Sequence, residues 1–458
     1  QKLEKIVKDE NTNVDTVPSA DLLQKAREHL GADTTQIAKH DLEEAKTEIK
    51  RLEKLASSDV LWDEVTGIEK IDYEGWVYDL TVENDHSFTA GFGGIISHNS
   101  YSLGTIAEEI HDSDISENLS TVLIDPMGIY WSMKRPNDRA STLLEKWGLK
   151  PRGYDIDVYI PEGKTDSFEE KDMPYDETFT LNPAELSATE WAMAFNLDLN
   201  SEIGILLERV VTKLDERFGD EYGINTMIKA LDKFDFDEDT RRALENRLRN
   251  AKDWGIFGEE STLDQFTSRG EISVVDMSVF GEMSSGWSVR SLVVGLLAKK
   301  ILRQRMAARR MEELDEMEGI SENEMPIVWM LIDEAHQFIP DNGTTPATKP
   351  LLRWVKIGRE PGVSLGLCTQ QPAKLNSNAL SQCDIILSHR LTAKQDIEAL
   401  GEIMQSYMRH DIGHYIDALP DRPGTGILMD DNSERIFPVQ MRPRKSWHAG
   451  GTPDAFED

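Results

Sequence analysis

The sequence predicts an α/β protein: a doubly wound parallel sheet with a helical insertion, preceded by a small helical segment and a compact all-β module. Three observations lead there. Residues 18–55 place apolar and charged residues at helical spacing, and from Asp59 to Asn99 the period shortens to that of strands. Pro326-Ile-Val-Trp-Met-Leu-Ile is a continuous apolar run ending in Asp333-Glu334, the pattern of a buried parallel strand that delivers carboxylates to its C-terminal edge. Further strand-like runs at Glu271–Asp276, Val363–Gln370 and Ile385–Arg390 supply more of the sheet, and Gly426–Val439 reads as a hairpin about Asp431-Asn432.

A chain of 458 residues with 39% apolar content has room for two or three domains with real cores. No run approaches the roughly 18–20 uninterrupted apolar residues of a membrane-spanning helix, so no membrane partner is expected. The chain opens Gln1-Lys2-Leu3-Glu4, with neither a basic, apolar secretory start nor an initiator Met, and an upstream segment is expected. Its two cysteines, Cys368 and Cys383, exclude a disulfide framework and suit a reducing cytoplasm. The net charge of −34 argues against a simple nucleic-acid binder, which carries a basic footprint. Two readings of a DNA role survive it. Either DNA is not the partner, or the acidity is a whole-surface adaptation to concentrated salt with local Lys and Arg making the contacts.

In residues 18–31, Ser19 or Asp21 caps a helix start and Gly31 ends it. Residues 41–55 form a second helical pattern with acid/base pairs three and four apart. Beyond Asp59, Val60, Trp62 and Val65, then Ile68 and Ile71, then Val77, Tyr78, Leu80 and Val82 mark short strands.

Asp79 and His86, Gly93-Gly94, the apolar Ile95-Ile96 and His98-Asn99-Ser100 follow in order. Residues 59–99 thereby resemble the last two conserved blocks of inteins, a Hint-type splicing fold. The resemblance assigns Asp79 and His86 to the penultimate block, His98 and Asn99 to the terminal pair, and Ser100 to the first residue downstream. The chemistry fits. The Asn99 amide can attack its own carbonyl, close a succinimide and cut the chain. The His98 imidazole can polarise that carbonyl or protonate the departing amine, and the Ser100 hydroxyl can accept an acyl group and pass it to its freed amine. The family's first nucleophile and early-block His are not in this chain, so splicing requires an N-terminal half. The short connection after Gly31 suggests a helix-turn-helix or, equally, the helical remnant of an inserted endonuclease module. No acidic nuclease motif is visible.

A phosphate-binding loop ends Gly-Lys-Ser/Thr and opens a helix whose N–H groups hold phosphate. Ser100-Tyr101-Ser-Leu-Gly-Thr-Ile fits the start of such a helix, although His98-Asn99 stands where Gly-Lys would be. Ser100 would then ligate Mg²⁺ beside a bound ATP, with Tyr101 next to it. Asp333 can hold Mg²⁺ through water and Glu334 can activate the attacking water. Gln370, at the end of the next strand, is placed to sense the γ-phosphate.

Leu123-Ile-Asp125-Pro-Met-Gly128, Ile332-Asp-Glu-Ala-His336, Gly358-Arg-Glu-Pro-Gly362, Thr369-Gln-Gln-Pro372 and Ser388-His-Arg-Leu-Thr392 come in that order. They resemble the HerA/FtsK branch of RecA-like P-loop ATPases, and HerA-like archaeal DNA translocases most closely. The family implies a homo-hexameric ring, double-stranded DNA translocation, often beside an end-resection nuclease, and Arg359 or Arg390 as an arginine finger. A conjugation- or secretion-type motor of the same superfamily, or an inactive fragment with splicing activity alone, are the alternatives. The expected divisions are a helical linker at 1–58, a splicing segment at 59–99, an ATPase core at 100–445 with a helical insertion at about 136–262, and an acidic tail at 446–458. The basic run Lys299–Arg310 faces either a DNA-lined pore or solvent.

Overall fold

The computed structural model describes residues 100–283, 286–318, 325–391, 393–403, 415–416, 419–420, 422–430 and 435–450. The helical patterns at 18–31 and 41–55, the segment 59–99 with Asp79, His86, His98 and Asn99, the turn at Asp431-Asn432 and the tail after Gly450 lie outside these residues.

Six strands build the main sheet: β1 (Leu119–Asp125), β2 (Ile156–Pro161), β3 (Glu177–Phe179), β4 (Ile272–Asp276), β5 (Ile327–Ile332) and β6 (Val363–Leu367). Their order is β3-β2-β4-β1-β5-β6, and every neighbouring pair is parallel. Because side chains alternate along a strand, each central strand feeds two separate cores. Val122 and Ile124 of β1 and Met330 and Ile332 of β5 pack on one face. Leu123 of β1 and Leu331 of β5 pack on the other, with Leu103 and Ala107 of helix α1 (Ser100–Asp112). A sheet buried on both faces is the doubly wound arrangement expected from sequence.

Between β3 and β4 lie α2 (Ala188–Ala194), α3 (Glu202–Phe218), α4 (Ile224–Ala230) and α5 (Glu238–Lys252). Helix α3 illustrates why they form. Ser201 accepts the Gly204 N–H at its start, and Leu206, Leu207, Val210, Val211 and Leu214 make one buried stripe. The insertion expected over 136–262 is therefore only partly helical, because β2 and β3 fall inside it. Ile156-Asp-Val-Tyr-Ile-Pro161 is itself a nearly fully buried apolar run, which prefers the sheet.

The longer helices that follow are α6 (Gly286–Glu318), α7 (Thr348–Ile357) and α8 (Lys394–Ile403). Helix α6 carries the basic run, and its cations are largely answered within the chain. Arg305 is 2% exposed and donates to the Pro361 carbonyl at 2.8 Å and the Met325 carbonyl at 2.7 Å. Lys299 pairs with Glu190, Lys300 with Asp264, and Arg309 with Glu312. These pairings commit much of the run's charge to contacts within the chain, while Arg303 and Arg310 are exposed.

The strand expected at 385–390 is present as β7 (Ile385–His389), but not in the main sheet. It pairs antiparallel with β8 (Thr425–Asp430), which pairs with β9 (Arg435–Gln440). Ile385 is 60% exposed, so this strand lacks the two-sided burial that marks β1, β4 and β5. The strands of the hairpin expected about Asp431-Asn432 are observed as β8 and β9.

After β9 the chain returns as a strap across α1. Glu108, fully buried on that helix, accepts Arg442 Nη1 at 2.7 Å, the Lys445 N–H at 3.0 Å and the Ser446 N–H at 2.9 Å. Arg444 is also fully buried, with Nη2 on Ser446 Oγ at 2.9 Å and Nε 3.6 Å from Glu108. A Cβ on Gly104 would stand 2.6 Å from the Arg444 guanidinium carbon, so only glycine admits the strap at that turn. Glu108→Ala should cost about 3–5 kcal/mol, the usual consequence of leaving buried cations, here Arg442 and Arg444, without their acid; urea unfolding measures it. Among the described residues, no helix is long and apolar enough to cross a membrane.

Candidate active site

The C-terminal edge of the sheet gathers acids. Asp125 ends β1 and Asp276 ends β4 opposite it in register, while Ile124 pairs with Ile332, directly before Asp333. All three acids are buried. Asp125 closes the turn after β1, accepting the N–H groups of Met127, Gly128, Ile129 and Tyr130 at 3.1, 2.7, 2.7 and 2.8 Å. Gly128 has φ +71°, and a Cβ there would meet Ser278 Oγ at 2.7 Å, so the turn needs glycine on both counts. Burial, then the Asp276 carboxylate, push the Asp125 carboxyl up from its ordinary value, while the N–H donors oppose them. Burial likewise pushes Asp276 up, with Ser278 and the Arg290 charge pulling it back.

Beyond β5 the backbone turns sharply. Glu334 has φ 48° and ψ 45°, a left-handed conformation that costs a non-glycine residue of order 1 kcal/mol or more and tends to occur at functional sites. The turn aims the two adjacent acids differently. Asp333 Oδ1 accepts the Glu334 N–H at 2.9 Å, and Oδ2 accepts Tyr130 Oη–H at 3.1 Å. Burial first, and the Asp333 charge second, push the Cys368 thiol well above its ordinary value. Glu334 Oε1 accepts Gln370 Nε2–H at 3.0 Å. Its Oε2 is buried without a hydrogen bond among the described residues, with His336 Nδ1 3.3 Å away. Burial first, and Asp333 second, raise the Glu334 carboxyl to about 7. Burial and the Lys374 charge lower the His336 imidazole, whose Nδ1 also lies 3.0 Å from Thr369 Oγ1.

Helix α1 begins at this edge. Ser100 is buried, and its carbonyl accepts Tyr130 Oη–H at 3.0 Å, so one phenol touches both Ser100 and Asp333. Ser102 Oγ lies 2.7 Å from His389 Nε2, and His389 Nδ1 lies 2.9 Å from the Thr425 carbonyl. That carbonyl only accepts, so Nδ1 carries the proton and Nε2 accepts from Ser102. The end of β7 is thereby tied to the first turn of α1.

Ser100, Asp333, Glu334 and Gln370 are thus brought together. Arg390 follows His389 and gives Nη2–H to the Leu419 carbonyl at 2.9 Å. Arg359 is exposed in the turn before β6, roughly 15 Å of strand away from Gln370 at the other end; within one protomer it is not beside Glu334. Tyr101 turns its side chain to the strap, accepting the Arg444 N–H at 2.7 Å, and so has only its backbone to offer a nucleotide. Sequence reasoning does not single out Tyr130, Asp125, Asp276, His336 or His389 as site residues. Asp125 and Asp276 carry the same signal as Asp333, an acid closing an apolar run; Tyr130 carries none.

The donor set suits Mg²⁺, which takes hard oxygen ligands, commonly one or two carboxylates together with substrate phosphates. Among the described residues there is no group of three or more His, Cys, Asp or Glu able to hold a metal ion, so a fully protein-built cage is not the arrangement here. The Ser100 hydroxyl and the Asp333 carboxylate are the oxygens that fit.

The family model for the intein splicing domain matches residues 3–99. A DNA polymerase of Thermococcus hydrothermalis is 54% identical over 52 residues, which are 11% of this chain and 3% of the polymerase. The DNA double-strand break repair helicase HerA of Pyrococcus furiosus is 27% identical over 176 residues, 34% of this chain and 31% of that protein. The probable HerA of Methanocaldococcus jannaschii is 26% identical over 158 residues, 31% of this chain and 30% of that protein. The chain therefore spans about a third of each of these HerA relatives and a few per cent of the polymerase. Among solved structures, VirB4 of Thermoanaerobacter pseudethanolicus aligns over 75% of this chain and 86% of its own, at 13% identity and a TM-score of 0.46. Residues 3–99 thus match the intein splicing domain, and about a third of the chain is similar in sequence to HerA helicases.

Proposed function

We propose that residues 100–445 are the downstream part of a HerA-type, ATP-driven double-stranded DNA translocase, interrupted within its phosphate-binding loop by the intein that ends at Asn99. The observation that carries the reading is the meeting of Ser100 and Asp333 on the Tyr130 hydroxyl, at 3.0 and 3.1 Å, beside Glu334. A helix start and a strand end far apart in sequence converge where a nucleotide's phosphates and their metal would sit.

In this reading the Ser100 hydroxyl and Asp333 hold Mg²⁺, whose charge would offset that of the ATP phosphates. Glu334 takes the proton of the attacking water, and the raised value of its carboxyl suits a group that must gain and lose a proton near neutrality. Gln370 holds Glu334 at Oε1 and links it to the γ-phosphate position. Arg390 or Arg359 reaches a neighbouring protomer's nucleotide in a homo-hexameric ring. The exposed position of Arg359, in the turn before β6, leaves it available to a neighbouring protomer. Before Ser100 takes that role it receives the acyl group in splicing, with Asp79, His86, His98 and Asn99 acting in the joined intein, and an upstream half supplies Gly-Lys. Double-stranded DNA and a DNA end-resection nuclease are the partners this reading names, in the cytoplasm.

The test is intact mass after co-production with the upstream gene segment, followed by ATP hydrolysis with and without double-stranded DNA. A ligated product lacking residues 1–99 that gains DNA-stimulated hydrolysis is expected. Unchanged mass, with Asn99→Ala making no difference, removes the splicing reading; a ligated product that does not hydrolyse ATP removes the ATPase reading.

A further inference from the structure

From the geometry we infer that Tyr130 is a positioning residue of the metal site, setting Ser100 and Asp333 at the spacing that lets both serve one divalent cation. The inference deepens the proposed function and rests on it.

Tyr130 is fully buried, and its hydroxyl lies 3.0 Å from the Ser100 carbonyl and 3.1 Å from Asp333 Oδ2. A carbonyl and a carboxylate both only accept, and a phenol has one proton to donate. The hydroxyl therefore shares its proton between two acceptors that belong to different elements, the first residue of α1 and the residue after β5. When a cation draws on the Asp333 oxygens, the proton is free to go wholly to the Ser100 carbonyl. The start of the helix is then held at the moment the carboxylate is engaged elsewhere.

The surroundings keep the phenol in place. Four backbone N–H groups converging on Asp125, one of them that of Tyr130, make the turn that aims the ring inward. The Arg444 guanidinium of the strap lies 5.9 Å from the centre of the ring. A side chain that merely filled space would need no hydroxyl at this spot.

Tyr130→Phe keeps the ring and removes only the shared donor. The ligated protein is loaded with a non-hydrolysable ATP analogue, and Mn²⁺ binding, as a stand-in for Mg²⁺, is followed by the electron paramagnetic resonance of the free ion. Mn²⁺ affinity should fall about tenfold, the scale of one hydrogen bond to a charged group. Binding of the analogue without metal should fall by less than this, and the unfolding temperature without metal should drop modestly, because two buried acceptors lose their donor. Tyr130→His restores a ring N–H and should recover part of the affinity; it also serves if the phenylalanine variant does not fold. Cys368→Ala alters a buried neighbour whose thiol the Asp333 charge raises and leaves Ser100 alone, so it should weaken Mn²⁺ less. Wild-type Mn²⁺ affinity in folded Tyr130→Phe, or equal losses of metal and metal-free nucleotide binding, overturns the role of Tyr130. If the wild-type ligated protein binds neither analogue nor Mn²⁺, the ATPase reading falls as well, a result distinct from either.

Discussion

Glu334→Gln in the ligated protein is expected to lower ATP hydrolysis by about 10²–10⁴-fold, the usual contribution of a positioned general base, while ATP still binds. The substitution keeps the size of the side chain and an oxygen able to accept Gln370 Nε2–H, which now lies 3.0 Å from Glu334 Oε1. It removes the buried Oε2, which accepts no hydrogen bond among the described residues and is the oxygen left for water. Steady-state hydrolysis and equilibrium binding of ATP, measured on the same preparation, separate the two effects. Equal loss of both would show that Glu334 shapes the pocket rather than the chemistry.

Asn99→Ala is expected to stop release of residues 1–99 altogether, because alanine has no side-chain amide to attack the backbone carbonyl. Intact mass of the co-produced chains reads the result directly. Ser100→Ala divides the two chemistries assigned to that hydroxyl. Cleavage after residue 99 should continue, since Asn99 cyclisation does not need the hydroxyl, but no ligated product should form for want of the acyl acceptor. Ligated product from Ser100→Ala would overturn the acceptor role.

Much of this site is legible in the amino-acid sequence. An apolar run ending in two acids cannot lie comfortably anywhere but in a buried strand with its end at an opening, because the run sheds water and the acids retain it. Asp333, Glu334 and the neighbouring strand leading to Gln370 are read from that contrast alone, and β5 and β6 pair as it requires. The run Glu271–Asp276 is read as part of the sheet, and the structure pairs it, as β4, with β1. It fails for β7, whose short apolar run resembles the others but finds its partners in the β8–β9 hairpin. Five residues of strand pattern do not say which edge they will join.

What the sequence by itself determined is local: which segments alternate, which acids close them, and which string of residues before Ser100 resembles the end of an intein. Only the tertiary structure decided the long-range company those residues keep. Glu108 and Arg444 read as ordinary helical and tail charges, yet both are fully buried where the strap crosses α1. Arg305 reads as part of a solvated basic run, yet it is buried against Pro361 and Met325. Tyr130 reads as one tyrosine after a turn, yet its hydroxyl joins Ser100 to Asp333. The physical reason is common to all of them. A residue's propensity depends on its near neighbours in the chain, whereas the partner of a buried charge or hydroxyl is chosen by the closing of the whole fold, when every desolvated polar group must find one.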